Sequence, residues 1–151
     1  MSIGVPESVT MLPDGIKELA LSARNQGFRF LDRLINDHRS GSNTFSKPGE
    51  VLLTLRENGR LVGIGGLNID PFDGSGNTGR LRRLYVDPSC RGRGAGRALV
   101  HALEAVAVQH FATLRLFTDD SDAARFYVSL GYTAVLSDTE ASHQKIFTDQ
   151  P

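Results

Sequence analysis

The chain has one cysteine, no tryptophan, two methionines and only three lysines among its 151 residues. A lone Cys90 cannot form an internal disulfide and cannot build a Cys-rich metal site, so no metal centre is expected and a reducing cytoplasm is the expected setting. No window holds roughly 18 consecutive apolar residues, which excludes a helical membrane span. The opening Met-Ser-Ile-Gly-Val-Pro-Glu has neither a basic start nor an apolar stretch, so no secretory signal is expected in it. Repeats, low-complexity tracts and linkers are also missing, and residues 1–151 read as a single domain. At this length a fold buries about two-thirds of the surface of its unfolded chain and requires no covalent staple. The seventeen basic and seventeen acidic residues cancel, which argues against a protein that coats nucleic acid.

What is present is arginine. It supplies fourteen of the seventeen positive charges, and six (80, 82, 83, 91, 93, 97) fall within eighteen residues that contain one acid, Asp87. Such a run is often a solvated face. Here it is interleaved with glycines, and backbone N–H groups together with guanidinium charge suit a phosphate.

Hydrophobic periodicity orders the rest. Ser8 to Leu12 reads as a short strand. Asp14 to Arg24 is a helix after Pro13, with Ile16, Leu19 and Ala20 on one face, and Phe28, Leu31, Leu34 and Ile35 mark a second helix ending near His38. After the polar stretch from Ser40 to Gly49, Val51–Arg56 and Arg60–Leu67 form two strands joined by Glu57-Asn58-Gly59. Asn-Gly suits a type I′ hairpin because both turn positions need positive φ. In Arg80–Val86 the apolar residues fall at Leu81, Leu84 and Val86, so the alternation slips by one; a β-bulge or an imperfect edge strand accounts for that. Arg97–His110 is an amphipathic helix, Thr113–Thr118 a buried strand, and Asp122–Leu130 a helix closed by Gly131. Thr133–Leu136 and Gln144–Thr148 are two last strands. A mixed sheet with helices on its faces places the chain in the α/β or α+β class.

The most informative segment runs from Leu84-Tyr85-Val86 through a proline turn into Arg91-Gly92-Arg93-Gly94-Ala95-Gly96-Arg97. Glycines permit close approach of a ligand to the backbone, and a helix start offers four unpaired N–H groups aligned with its dipole. A tight strand-to-helix turn alone would use the same residues. The Walker pattern is excluded, since Gly96 is followed by Arg97-Ala98 and not Lys-Ser/Thr. The dinucleotide fingerprint fails because position 97 is arginine, and the loop follows an antiparallel hairpin.

Arg91-X-X-Gly94-X-Gly96, with Leu84-Tyr85-Val86 before it and Ala98-Leu99 after it, resembles the acetyl-CoA pyrophosphate loop of the GNAT N-acetyltransferases. Ala123-Ala124-Arg125-Phe126-Tyr127-Val128-Ser129-Leu130-Gly131-Tyr132 is similar to that family's Ala-X-X-Phe-Tyr-X-X-X-Gly-Phe segment. The two blocks stand in the family's order, and the element order agrees over essentially the whole chain.

The resemblance implies a mostly antiparallel sheet of six or seven strands with helices on both faces and a bulged central strand. It implies acetyl-CoA as co-substrate and direct attack on its thioester by the amine of a small molecule or peptide, and it leaves room for a homodimer. The N–H groups of Gly92, Arg93, Gly94, Ala95, Gly96 and Arg97 would hold the pyrophosphate, with Arg91, Arg93 and Arg97 adding charge. The backbones of Leu84, Tyr85 and Val86 would pair with the pantetheine arm, a donor near Leu84 would polarise the thioester carbonyl, and Tyr127 would protonate the departing thiolate. From spacing alone Tyr127 could equally be a packing residue beside Phe126.

Two departures stand out. The family's frequent Glu at the start of the bulged strand aligns with Arg80, which cannot act as a base. Its usual Asn before the last helix is Asp120, aligned with a contact to the pantetheine arm. Asp70, Asp73 and His38 border the expected acceptor pocket but also read as solvated or turn residues. Cys90, beside the pyrophosphate loop, is too far from the thioester to serve as nucleophile. His101 and His110 read as surface residues. A CoA-binding sensor module that has lost turnover, and an RNA-contacting domain, are the alternatives; the second lacks the aromatic platform that single-stranded RNA requires.

Overall fold

The computed structural model describes residues 3–136 and 138–147. Its elements are β1 (Glu7–Val9), α1 (Ile16–Asn25), α2 (Phe30–Ser40), β2 (Val51–Glu57), β3 (Arg60–Ile69), β4 (Thr78–Val86), α3 (Ala95–Ala107), β5 (Thr113–Leu116), α4 (Ser121–Ser129), β6 (Thr133–Ala134) and β7 (His143–Ile146). They build one seven-stranded sheet in the order β1-β2-β3-β4-β5-β7-β6. The β4–β5 pair is parallel and the other pairs are antiparallel, as the motif resemblance implied. No helix among the described residues is long and apolar enough to cross a membrane.

The sheet separates two cores. Leu53, Leu55, Leu67 and Leu81 turn to one face, where they meet Leu99 and Leu103 of α3 and Tyr127 of α4. Leu52, Leu61, Ile64 and Tyr85 turn to the other, against Ile16, Leu19, Leu31 and Leu34 of α1 and α2. Strand periodicity of two produces this division, with consecutive Leu52 and Leu53 packing on opposite sides. Each fully buried leucine contributes about 1.5–3 kcal/mol relative to an exposed one.

The β2–β3 hairpin turns at Asn58 and Gly59, whose φ values of 52° and 81° are those of the expected type I′ turn. The slip in β4 is a true bulge. Ile64 pairs with Tyr85 and Gly66 with Arg82, so Arg83 and Leu84 together oppose Gly65. Arg83 takes up the extra length in the left-handed region, at φ 61°.

Several boundaries differ from the sequence reading. The third helix begins at Ala95, two residues before Arg97, because Gly94 at φ 83° is its N-cap. The last glycine of the run therefore lies inside the first helical turn. The first strand is displaced to Glu7–Val9 by its pairing with Leu52–Thr54. The fifth strand stops at Leu116, where the backbone of Thr118 turns to bond the Ser142 hydroxyl. The sixth strand keeps two residues, with Leu136 exposed to solvent. The expected end of the last strand, Thr148, lies outside the described residues.

Strands β4 and β5 are joined only at Thr78–Arg80 and Thr113–Arg115. Past Arg80 they part, and the bulged half of β4 is paired on its β3 side alone.

Candidate active site

The glycine run lies where β4 hands over to α3. Asp87 accepts from the backbone of Ser89 and caps a short 3-10 turn at Pro88–Cys90. Gly92 and Gly94 then take φ values of 75° and 83°, conformations that glycine adopts without a Cβ penalty. Nothing stands within 4 Å of where a Cβ would be at either position, so the loop is open on its outer side. Among the described residues the backbone N–H groups of Gly92, Gly94, Ala95, Gly96 and Arg97 donate to no acceptor. Five such donors at the positive end of a helix dipole form an anion site.

The three flanking arginines part company. Arg91 folds back: Nε donates to the Val86 carbonyl at 3.1 Å, Nη2 donates to Gln26 Oε1 at 2.7 Å, and the guanidinium lies 5.4 Å above the Tyr85 ring. Arg93 pairs with Glu57, whose carboxyl that hydrogen bond holds below its ordinary pKa. Arg97 projects from the first turn of α3, exposed and without a hydrogen bond or ion pair among the described residues. Of the three, Arg97 is the one without a partner among the described residues.

The parted half of β4 supplies the second component. Its backbone from Arg82 to Val86 has no pairing toward β5 and is left as an open sheet edge, the kind of edge that can accept an added strand. Leu84 packs with the α3 and α4 core; a Cβ at Gly65 would come 3.0 Å from its side chain. Tyr85 is buried on the other face, where its hydroxyl donates to Gln26 Oε1 at 2.8 Å. Val86 is half-buried.

Tyr127 belongs to the same core as Leu84 and stacks edge-on with Phe126 and Tyr132, at centroid distances of 5.3 and 5.6 Å. Its hydroxyl has no hydrogen-bond partner among the described residues, yet it keeps contact with solvent. Burial pushes the phenol well above its ordinary pKa, so it remains protonated throughout the neutral range. The placement shows a packed ring that still carries its phenolic proton. Phe126 closes on the loop from the other side, and a Cβ at Gly96 would sit 3.2 Å from its ring.

Asp120 is the N-cap of α4, its carboxylate accepting from the Ala123 backbone at 2.9 Å. That oxygen is committed to the helix. Cys90 is fully buried in the turn before the loop, and His101 and His110 are exposed on or just past α3.

On the α1–α2 side of β4 the sequence reading needs correction. Asp70 is a turn residue, accepting from the Phe72 backbone at 3.0 Å, but it is not solvated: it is 2% exposed and forms an ion pair with Arg80, itself 3% exposed, at 3.4 Å. Arg80 also donates to the Glu140 carbonyl and lies 4.8 Å over the Phe72 ring. Arginine at the position aligned with the family's acid is therefore a structural cation whose partner comes from the end of β3. Asp73 is a turn residue as read, accepting from the Ser75 backbone and from Thr78. His38 is half-buried on α2, with Nε2 lacking a partner. Arg82 and Arg83 entered the sequence reading only as members of the charge run. The slipped alternation was the available signal, because a bulge at Arg83 dictates which side each takes.

A model of the Acetyltransferase (GNAT) family matches residues 16–132, and the chain belongs to that family. A candidate acetyltransferase of Exiguobacterium sp. 255-15 superposes with a TM-score of 0.85 at 25% identity, covering 97% of this chain and 94% of that one. The PaiA N-acetyltransferase of Thermoplasma acidophilum, solved with coenzyme A, shares the fold at a TM-score of 0.65 and 19% identity, over 97% and 100% of the two chains. The IAA acetyltransferase of Azospirillum brasilense is 33% identical over 81 residues, 49% of this chain, and that match spans about half (51%) of the relative.

Proposed function

We propose that the protein is an acetyl-CoA-dependent N-acetyltransferase. One observation carries the reading: five unpaired N–H groups at the start of α3 open beside the unpaired, bulged half of β4. A pyrophosphate suits the first feature and an amide-bearing pantetheine arm the second, and together they select CoA over NAD or a nucleoside triphosphate.

In this reading Gly92 to Arg97 and the Arg97 guanidinium bind the pyrophosphate, and the backbone of Leu84 to Val86 pairs with the pantetheine. A β4 N–H near Leu84 polarises the thioester carbonyl while a neutral amine attacks it. As the tetrahedral adduct collapses, the C–S bond breaks and Tyr127 gives its proton to the thiolate sulfur. A phenol raised by burial is a weak acid, but the thiolate it meets is drawn from water into the same apolar core, which raises the thiol as well. The proton lost by the amine passes to water, since Arg80 occupies the position of the aligned acid, and water returns one proton to the Tyr127 phenolate. The reading includes the single-domain organisation and the cytoplasmic setting expected from the sequence.

A second reading has support in that same position: with no carboxylate there, the domain is a CoA-binding module of low turnover. One set of measurements separates the two. Acetyl-CoA at about a hundred times its Kd should stabilise the fold by about 2.7 kcal/mol, a melting rise of roughly 5–10 °C at this size. NAD should give much less. Gly94→Glu should remove the shift while still melting cooperatively. Equal shifts from NAD, or normal binding by the variant, refute the CoA loop; binding without release of free CoA on any amine supports the module.

A further inference from the structure

The bulge places two consecutive arginines on one face of the sheet. In a regular strand Arg82 and Arg83 would point to opposite sides. Arg82 lies across from Gly66, where a Cβ would strike the Phe45 ring on the α1–α2 side, so Arg82 leaves from that face. Arg83, turned through its positive φ, reaches the same side and meets Asp37 of α2 at 3.7 Å, its Nε buried and unpartnered. Left-handed conformations of non-glycine residues are strained and gather at functional sites.

Arg82 is half-buried and has no hydrogen bond or ion pair among the described residues. Burial, with the neighbouring Arg80, pulls its pKa below the ordinary value. Of the carboxylates around it, Glu50 and Asp37 are engaged through both oxygens, and Asp70 is engaged through Oδ1 while its buried Oδ2 has no partner. Asp70 is held by Arg80 and the Phe72 backbone, Glu50 by Asn68 and the Ile69 backbone, and Asp37 by Arg83 and Ser42. Counting Arg33, which acts on Arg83 through space, four guanidiniums face three carboxylates. A guanidinium in that position offers a planar fork of donors with nothing to bind.

We propose that Arg82 is the anion-recognition residue of the acceptor site, and that the acceptor is a small amine bearing a carboxylate a few bonds from its nitrogen, as in an amino acid. This rests on the acetyltransferase reading. Arg82 stands two residues before Leu84 on the same strand, with the bulge residue Arg83 between them shortening the advance. A guanidinium bound there through two parallel hydrogen bonds fixes a carboxylate while the amine on the same small molecule reaches the thioester. Arg83 completes the positive rim, and its bulge sets the spacing.

The test uses the full chain, acetyl-CoA and matched trios: an amino acid, its carboxamide and its decarboxylated amine, with phosphoethanolamine as a further anion. Release of free CoA is compared after correction for the neutral fraction of each amine. The carboxylate member should be preferred by about tenfold or more in kcat/KM, chiefly through KM, as expected for a ground-state contact. Arg82→Gln should erase that preference and Arg82→Lys should restore part of it, since lysine keeps the charge without the fork. Should Arg82→Gln fail to fold, the wild-type comparison decides alone. Transfer to amines irrespective of the carboxylate, or a preference for phosphoethanolamine, overturns the proposal and leaves the acetyltransferase reading standing. No transfer to any amine, with the acetyl-CoA melting shift intact, overturns both.

Discussion

The two sides of β4 are built on different terms. Toward α3 and α4 the sheet carries an apolar core, and ligand-facing groups are backbone: helix N–H donors and an unpaired strand edge. Toward α1, α2 and the segment 41–50 the upper sheet carries buried side-chain polarity: Asn68, Thr78, Asp70 and Arg80, with Arg82 and Arg83 beyond them. In the proposed reading, backbone donors bind what every user of CoA has in common. Side-chain charge, free to differ from one chain to another, is in the same reading the material from which acceptor choice is made.

The largest expected effect tests whether the polar side is a true structural unit. Asp70→Leu leaves the Arg80 guanidinium buried without its carboxylate and should cost about 3 kcal/mol or more in urea unfolding. Adding Arg80→Met should recover most of it, because an apolar pair of similar volume removes the stranded charge. If the double variant is no better than the single one, Asp70 holds the backbone at Phe72 and not the ion pair.

Tyr127→Phe probes the other side. The ring contacts to Phe126 and Tyr132 survive the change, so melting temperature and acetyl-CoA affinity should hold while kcat falls by about 10²-fold. An unchanged kcat under conditions where chemistry limits the rate would reduce Tyr127 to a packing residue. Asp120→Ala is the gentlest test. Losing the cap on α4 should cost about 1 kcal/mol, with acetyl-CoA affinity nearly unaltered. A large loss of affinity would return the carboxylate to the pantetheine arm.

Legibility in the sequence followed the same division. The hairpin at Asn58-Gly59, the glycine run opening α3 and the Phe126-Tyr127 pair are local signals, each read from adjacent residues. The bulge was legible as a slip between Leu81 and Leu84, but its αL residue was not, since nothing local distinguishes Arg83 from Arg82. The polar side was hidden for a different reason. Arg80 meets Asp70 and the Glu140 carbonyl, and Asn43 meets Asn68, across 10, 60 and 25 residues of chain. Contacts of that range leave no periodicity behind, so Asp70 resembled a loop carboxylate until the fold brought its partner beside it.

Cys90, with none of its surface exposed, sits in the 3-10 turn immediately before the glycine run. A thiol so placed reacts with an alkylating reagent only when the segment around it opens, so the labelling rate of this one sulfur measures how often the loop unlatches from the native fold. It is an internal clock for local opening, present without any engineered probe. Ligands that clasp the loop's amides slow that clock, and ligands that dock elsewhere leave it running.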